Sequence, residues 1–243
     1  MRTVAVVPMK LNNRRLPKKN TMPFTNGKPL CWYILSTLLG IQEIDDVYVY
    51  CSNADIQDFI PNGVLFLQRP SSLDKDSTKM NEVLQAFAKD VKADVYVMTH
   101  TTAPFVTAAS IKNGLEAVKS KGYDSAFAAK KVQDFLWKDG KPFNYTLDAI
   151  PRTQDLPVLH EETSGFYIYR SEVMTVHNRR IGERPFIVEV GEIEGIDIDE
   201  KEDFMIADAV FNYRNAKEKW TGGGYKRRLI FPFAVVSCSG AAA

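Results

Sequence analysis

Thr3–Asn20 reads TVAVVPMKLNNRRLPKKN, an apolar β-branched run followed at once by a loop with five cationic side chains and no anionic one. The apolar run has the character of a buried strand. In an open parallel sheet, ligands bind at the carboxyl ends of the strands, and the loop Pro8–Asn20 leaves the first strand at that edge. Lys10, Arg14, Arg15, Lys18 and Lys19 are then placed to surround a negatively charged ligand. Several phosphates in a row are the commonest such ligand. The competing reading is a solvated basic loop; the position directly after the first strand favours the ligand. Neither G-x-x-x-x-G-K nor G-x-G-x-x-G is present, so the loop is not a Walker A motif or a dinucleotide fingerprint.

Outward from this stretch, short β-rich runs alternate with helix-length segments, the pattern of a parallel sheet with crossover helices. Strands are predicted at Thr3–Val7, Asp46–Cys51, Val64–Leu67, Asp94–Thr99 and Ser125–Ala129. Helices are predicted at Leu30–Leu39, Ala54–Phe59, Thr78–Asp90 and Ala108–Lys119, the last three capped by Asn53, Ser77 and Thr107. The expected fold class is α/β, a Rossmann-like three-layer sandwich with a mainly parallel sheet. From 131 to 169 the rhythm changes to short aromatic and β-branched runs with turn signals at Asp139-Gly140 and Pro157, which predicts an antiparallel insertion. The core, 1–130, resumes over 170–218 with a strand near Phe186–Val190 and a last helix of about Glu200–Lys217. The tail 219–243 has no assigned role.

Composition narrows the classes. In 243 residues, 31 basic and 30 acidic side chains nearly cancel, which argues against coating nucleic acid or an anionic membrane. Cys31, Cys51 and Cys238 lie far apart, and their spacing supports neither a disulfide framework nor a zinc site. No stretch approaches the roughly 20 apolar residues of a membrane span, and no signal peptide is evident. A cytoplasmic location is expected.

Asp197 and Asp199 in DIDEKEDF are two apart, so on a strand both would point to one face. Paired carboxylates at a strand's carboxyl edge suit Mg²⁺, which takes oxygen ligands together with substrate phosphates. A solvated turn is the competing reading of the pair taken alone. Glu200, Glu202 and Asp203 fit the start of the last helix. His160 and His177 read as polar surface groups, whereas His100 ends the fourth strand at the ligand edge. NRRIGERPF (Asn178–Phe186) is either a surface turn or a second anionic contact.

The segment AVVPMKLNNRRLPKKNTMPFTNGKPLCWYILSTLL resembles the opening of the acylneuraminate cytidylyltransferases, the CMP-sialic acid synthetase family. That family begins with a hydrophobic strand, then A-R-x-x-S-K-x-x-x-x-K-N and G-K-P-L. Lys10 stands at the family's arginine, Arg14 at its first lysine and Lys19-Asn20 at its K-N, while Asn13 and Arg15 depart from the usual serine and glycine. RPSSLDKDSTKMNEVLQAF is similar to R-P-x-x-L-x-x-D, which makes Arg69 a nucleotide contact. DVYVMTHTTAPFVTAASI falls where the family has L-L-Q-P-T-S-P-L-R, with His100 for glutamine and Val106 for arginine. PRTQDLPVLHEETSGFYIY aligns with R-x-x-L-P-x-x-x-x-x-N-G-x-x-Y, with Ser164 for asparagine. The resemblance covers roughly residues 3–212 and favours the metal reading of Asp197 and Asp199, the family's D-x-D.

The resemblance implies the nucleotide-diphospho-sugar transferase type of sandwich and a cytidylyltransferase that activates a sialic or related nonulosonic acid with CTP, giving a CMP-sugar and pyrophosphate. Leu11, Asn12 and Asn20 would read cytosine and ribose; Lys10, Arg14 and Lys19 would balance the phosphates; Asp197 and Asp199 would hold Mg²⁺. His100, Arg152 and Lys138 would contact the sugar acid. It also implies a homodimer formed through 131–169, whether Lys138 and Arg152 serve their own chain or the partner. The alternatives are another acceptor, such as a different keto-sugar acid or a phosphonate, and a nucleotide-binding module without catalysis. A glycosyltransferase would place its D-x-D mid-chain and leave the basic loop unexplained.

Overall fold

The computed structural model describes residues 1–221. The expected tail at 219–243 and Cys238 thus fall almost wholly outside the described residues. Among the described residues nine strands are found: β1 (Thr3–Met9), β2 (Asp46–Cys51), β3 (Leu65–Gln68), β4 (Val95–Thr99), β5 (Ser125–Val132), β6 (Trp137–Lys138), β7 (Lys141–Pro142), β8 (Leu159–Arg170) and β9 (Pro185–Val190). The helices are α1 (Leu30–Leu39), α2 (Met80–Asp90), α3 (Ala108–Ser120), α4 (Ser171–Thr175) and α5 (Lys201–Thr221).

Seven strands form one sheet in the order β3-β2-β1-β4-β8-β5-β9. All neighbours are parallel except at β8, which runs antiparallel to both β4 and β5. The first strand shows why the sheet is covered on both faces. Ala5 and Val7 enter one apolar layer with Ile34, Leu35 and Leu38 of α1 and Ile111 and Leu115 of α3. Val4 and Val6 enter the opposite layer with Leu84 and Phe87 of α2 and Met174 of α4. Alternation at period 2 with both phases apolar is what a strand buried on both faces requires. The three-layer α/β expectation is borne out.

Gly114 of α3 shows how closely helix and sheet approach: a Cβ there would lie 2.8 Å from Ile168 Cδ1 of β8. Among the described residues Cys31 and Cys51 are buried free thiols, and burial pushes the Cys31 thiol up to about 12. No helix among the described residues is long and apolar enough to cross a membrane.

Ala54–Phe59 is helical over the expected span, as a 3₁₀ helix, and Asn53 caps it by accepting from the Asp55 N–H. Three local expectations are corrected. Ser77 does not cap α2: a turn closes from the Lys75 carbonyl to the Thr78 N–H. The helix starts instead at Met80, where the Glu82 carboxylate accepts from the Lys79 N–H at 3.2 Å. Third, Leu159–Arg170 belongs to the central sheet and not to an insertion. Phe166 and Ile168 face one apolar layer while Tyr167 and Tyr169 face the other, so this aromatic run is a central strand. What remains outside the sheet is 133–158, including the β6–β7 hairpin. Its Asp139 and Gly140 both have positive φ, 51° and 75°, as a tight two-residue hairpin turn demands.

Candidate active site

The carboxyl ends of β1, β2, β3 and β4 share one edge of the sheet, and the segment from Pro8 to Asn20 leaves β1 there. Asn20 holds this loop together. Its side chain is buried, donating from Nδ2 to the Lys10 carbonyl at 2.8 Å and accepting at Oδ1 from Thr101 Oγ1 at 2.5 Å. Both ends of the loop are thereby tied to each other and to the turn after β4. Leu11 is half-buried against the apolar layer, and Asn12 is exposed.

Lys19 enters the interior beneath the loop. Its ammonium donates to the Ile198 carbonyl at 2.7 Å and lies 3.1 Å from Asp199 Oδ1. Arg15, one of the loop cations expected to surround a ligand, reaches the same Asp199 oxygen at 2.8 Å. Burial pushes the Asp199 carboxyl up, but the hydrogen bond and charge of Lys19, reinforced by Arg15, outweigh it and hold the carboxyl below its ordinary value. The carboxylate is therefore ionised at neutral pH.

Asp197 and Asp199 do not lie on a strand of the sheet, as the sequence led us to expect. The segment makes a backbone bond from the Ile198 N–H to the Thr102 carbonyl at 2.9 Å, and the buried Ile198 side chain anchors it in a third apolar cluster with Leu16, Phe24 and Phe105. The two acids flank that anchor. Asp203, in the first turn of α5, accepts from the Asp199 and Glu200 N–H groups at 2.9 and 2.8 Å, as a cap at a helix start does. One carboxylate oxygen of Asp197 is buried without a hydrogen-bond partner. A buried carboxylate oxygen with no hydrogen-bond partner, two residues from the ionised Asp199, belongs to a donor set that fits a hard divalent cation such as Mg²⁺. Among the described residues no group of three or more His, Cys, Asp or Glu side chains is arranged to hold a metal. A cation held by the aspartates would complete its shell from water or ligand oxygens.

His100 directly follows β4 at the same sheet edge. Desolvation pushes its imidazole down to about 4, and Arg180 and Lys19 push the same way against the opposing charge of Asp197 and Asp199. It is a neutral imidazole at pH 7, able to donate one hydrogen bond and accept another.

On the other flank, a cavity of about 230 Å³ is lined by Pro8, Lys10, Arg69, Asp74, Asp76 and Met80, among others. Arg69 is buried and ion-paired with Asp74, which also accepts from Ser52 Oγ at 2.5 Å. Asp76 draws Lys10 to 3.3 Å and Arg14 to 2.6 Å. The structure thus gathers Lys10, Asn20, Lys19, His100, Asp197 and Asp199 around one edge, with Arg14 and Arg69 beside it. Lys138 and Arg152 are not brought there within one chain. Both are exposed on the 133–158 excursion, and Arg152 is ion-paired with Asp155 at 2.8 Å.

The sequence missed Thr101, Asp74 and Asp76, and left Arg180 undecided within NRRIGERPF. Thr101 follows His100 directly, and the two aspartates stand in the same RPSSLDKDST run as Arg69. Their roles come from long-range partners, such as a loop 81 residues away for Thr101.

The family model of the cytidylyltransferases matches residues 4–204. An N-acylneuraminate cytidylyltransferase of Oncorhynchus mykiss is 26% identical over 175 residues, 68% of this chain and 40% of that protein. A Helicobacter pylori protein named pseudaminic acid cytidylyltransferase and UDP-2,4-diacetamido-2,4,6-trideoxy-beta-L-altropyranose hydrolase is 22% identical over 220 residues, 86% of this chain and 42% of that protein. The chain spans less than half the length of each of these curated relatives. Among solved structures, a CMP:2-keto-3-deoxy-manno-octonic acid synthetase complexed with CTP superposes with a TM-score of 0.67 at 17% identity, covering 88% of this chain and all of that one. A 4-diphosphocytidyl-2C-methyl-D-erythritol synthase from Anaerococcus prevotii gives 0.61 at 14% identity, covering 87% of this chain and 96% of that one. At these identities the structural likeness speaks for the fold alone.

Proposed function

The chain belongs to the cytidylyltransferase family, and we propose from this premise that it transfers CMP from CTP to a sugar acid, releasing pyrophosphate. The observation that carries the reading is Lys19, whose ammonium joins the basic loop to Asp199 across the sheet edge at 3.1 Å. Nucleotidyl transfer depends mainly on positioning and on stabilising charge around phosphorus. A buried cation beside a pair of acids at the mouth of a cationic loop suits that task.

In this reading the triphosphate lies along the loop, where Lys10, Arg14 and Lys19 balance its charge. Arg69 bounds the nucleotide cavity, and backbone groups at Leu11 and Asn12 meet the base and ribose. Asn20 acts by holding the loop in shape, since both ends of its amide are already engaged. Asp197 and Asp199 would hold Mg²⁺, which when bound supplies positive charge at the α-phosphate. The acceptor hydroxyl attacks in line, and the neutral His100 orients the acceptor through a hydrogen bond. Lys138 and Arg152 would reach the acceptor's carboxylate from a partner subunit. A homodimer is supported by the excursion that carries them: Trp137, Phe143, Leu147 and Ile150 are between 56 and 64% exposed, a concentration of apolar surface that marks a contact site.

The acceptor is proposed as a nonulosonic acid or a related keto-sugar acid, in line with the names of the relatives. A phosphonate is the second reading, favoured by the replacement of the family's substrate-side residues at His100, Val106 and Ser164. Val106 is buried, and its Cγ2 would lie 3.1 Å from a Cβ on Gly165, so the wall here is apolar where the family has arginine. Pyrophosphate release from CTP and Mg²⁺ with a panel of sialic, pseudaminic and 2-keto-3-deoxy-octonic acids, simple phosphonates, and sugar acids and phosphonates that carry a second acidic group tests the proposal. Release with none of them, by protein that is folded, would overturn the transfer reading.

A further inference from the structure

Arg179 and Arg180 stand on the loop between α4 and β9, in the stretch whose sequence left a surface turn and an anionic contact both open. The loop is pinned from three sides. Asp124 accepts from the Glu183 and Arg184 N–H groups at 2.8 and 2.9 Å, Ser125 Oγ accepts from the Gly182 N–H at 2.8 Å, and the Asn178 carbonyl accepts from Asn81 Nδ2 at 2.9 Å. The Arg180 guanidinium is stacked 4.1 Å from the centre of the Tyr167 ring on β8. This is not a freely swinging surface cation.

A cavity of about 410 Å³ opens in front of the two arginines, with Lys79, Met80 and Glu162 also on its wall. Three cations thus face one anion. Glu162 lies 3.5 Å from Arg180 and is drawn to the Tyr167 hydroxyl at 2.5 Å, while the partner of Arg179, Glu183, is largely exposed. Nε of Arg179 is buried with no partner. Exposed or elongated ion pairs of this kind neutralise little, so the pocket keeps a positive field.

The pocket adjoins the site. Met80 lines both this cavity and the one formed by Lys10 and Arg69. A planar guanidinium held by stacking matches a carboxylate or phosphonate bidentately and loses little freedom in doing so.

We propose that Arg180, with Arg179 and Lys79 beside it, binds a second acidic group of the acceptor, apart from the carboxylate assigned to Lys138 and Arg152. The acceptor class is thereby a diacid, a sugar acid or phosphonate with a further carboxylate, phosphate or phosphonate. This rests on the cytidylyl-transfer reading.

The test uses methylphosphonate as the probe, titrated into the protein with CTP saturating and divalent cations chelated, and followed by ³¹P NMR. Methylphosphonate is expected to bind, at least tenfold more weakly in Arg180→Ala and Arg179→Ala, with partial retention in Arg180→Lys; one charge-assisted bond lost accounts for a factor of this order. CTP affinity should be the same in all four proteins. Circular dichroism verifies folding, Arg179→Ala spares the stacking lost in Arg180→Ala, and Arg180→Lys keeps a positive charge beside Tyr167. In turnover, methylphosphonate should compete with whichever acceptor the panel identifies. Absence of binding to the CTP-loaded protein, equal binding to the arginine variants, or competition with CTP alone would each overturn the second acidic contact and leave cytidylyl transfer standing. Failure of the wild-type protein to bind CTP would remove the transfer reading, and this inference with it.

Discussion

Lys19 and Asp199, separated by 180 positions in the chain, meet at 3.1 Å beneath the loop that follows the first strand. In the proposed site the contact couples the cation assigned to phosphate to a carboxylate assigned to Mg²⁺. Substituting either residue therefore disturbs both halves of the proposed site.

Asp199→Asn is expected to abolish turnover in a folded protein. A neutral amide is a poor ligand for Mg²⁺, and Lys19 and Arg15 lose their common anion. Asp197→Asn should be impaired to a similar or smaller degree. Pyrophosphate release paired with circular dichroism checks this; activity within a few fold of the parent would remove the metal assignment.

Lys10 and Arg14 are ion-paired with Asp76, so in the proposed reading bound CTP would draw them from that carboxylate. Arg14→Ala should weaken CTP by about tenfold, one charge-assisted hydrogen bond being worth about 1.5–3 kcal/mol. Asp76→Asn should tighten CTP by a few fold, since exposed ion pairs contribute about 0–1 kcal/mol each. Calorimetric titration of both variants is decisive: weakened binding in Asp76→Asn would make Asp76 part of the site rather than a competitor for its cations.

His100 has a folded pKa of about 4, below its unfolded value of 6.5. Between these values the unfolded chain binds the extra proton, so stability rises with pH through this window and is lost as pH falls from 6.5 toward 4. The loss expected is roughly 1–3 kcal/mol. Urea unfolding of metal-free protein at pH 7 and 4.5 should show it, and His100→Gln should remove that share of the slope. An unchanged slope in the variant would mean that other groups carry it.

Mixing Asp199→Asn with Arg152→Ala should restore CMP-sugar formation if Arg152 acts across a dimer, because one site of a mixed dimer then holds both intact residues. No recovery, despite subunit exchange shown by mass spectrometry, would confine Arg152 to its own chain or to no site. Trp137→Arg, placed on the exposed hairpin, should shift the protein toward monomer in sedimentation.

The core was readable where local pattern and tertiary environment agree. β1 and α1 announce themselves through apolar periodicity, and β2 and α1 begin and end where predicted. Leu159–Arg170 was not readable as a central strand, because its first half is polar and its pairing with β4 and β5 joins segments far apart in sequence. The loop cations could be recognised from charge alone, yet which of them turns inward could not: Lys19 is buried and Arg14 exposed on the same short loop. That choice is made by the Ile198 carbonyl, which the sequence places nearly at the other end of the fold.

The antiparallel β8 also imposes an order of assembly. β4 and β5 are not neighbours; the space between them is filled by a strand that begins only at Leu159. A nascent chain that has reached β5 therefore has four parallel strands in place and the apolar Val95–Thr99 as an open edge, with β5 unable to dock. Unpaired apolar edges invite association with other chains. Synthesis that stalls or terminates between residues 132 and 159 should leave a sticky intermediate rather than a smaller folded domain, and the interval in which a chaperone matters most is the time taken to make the excursion.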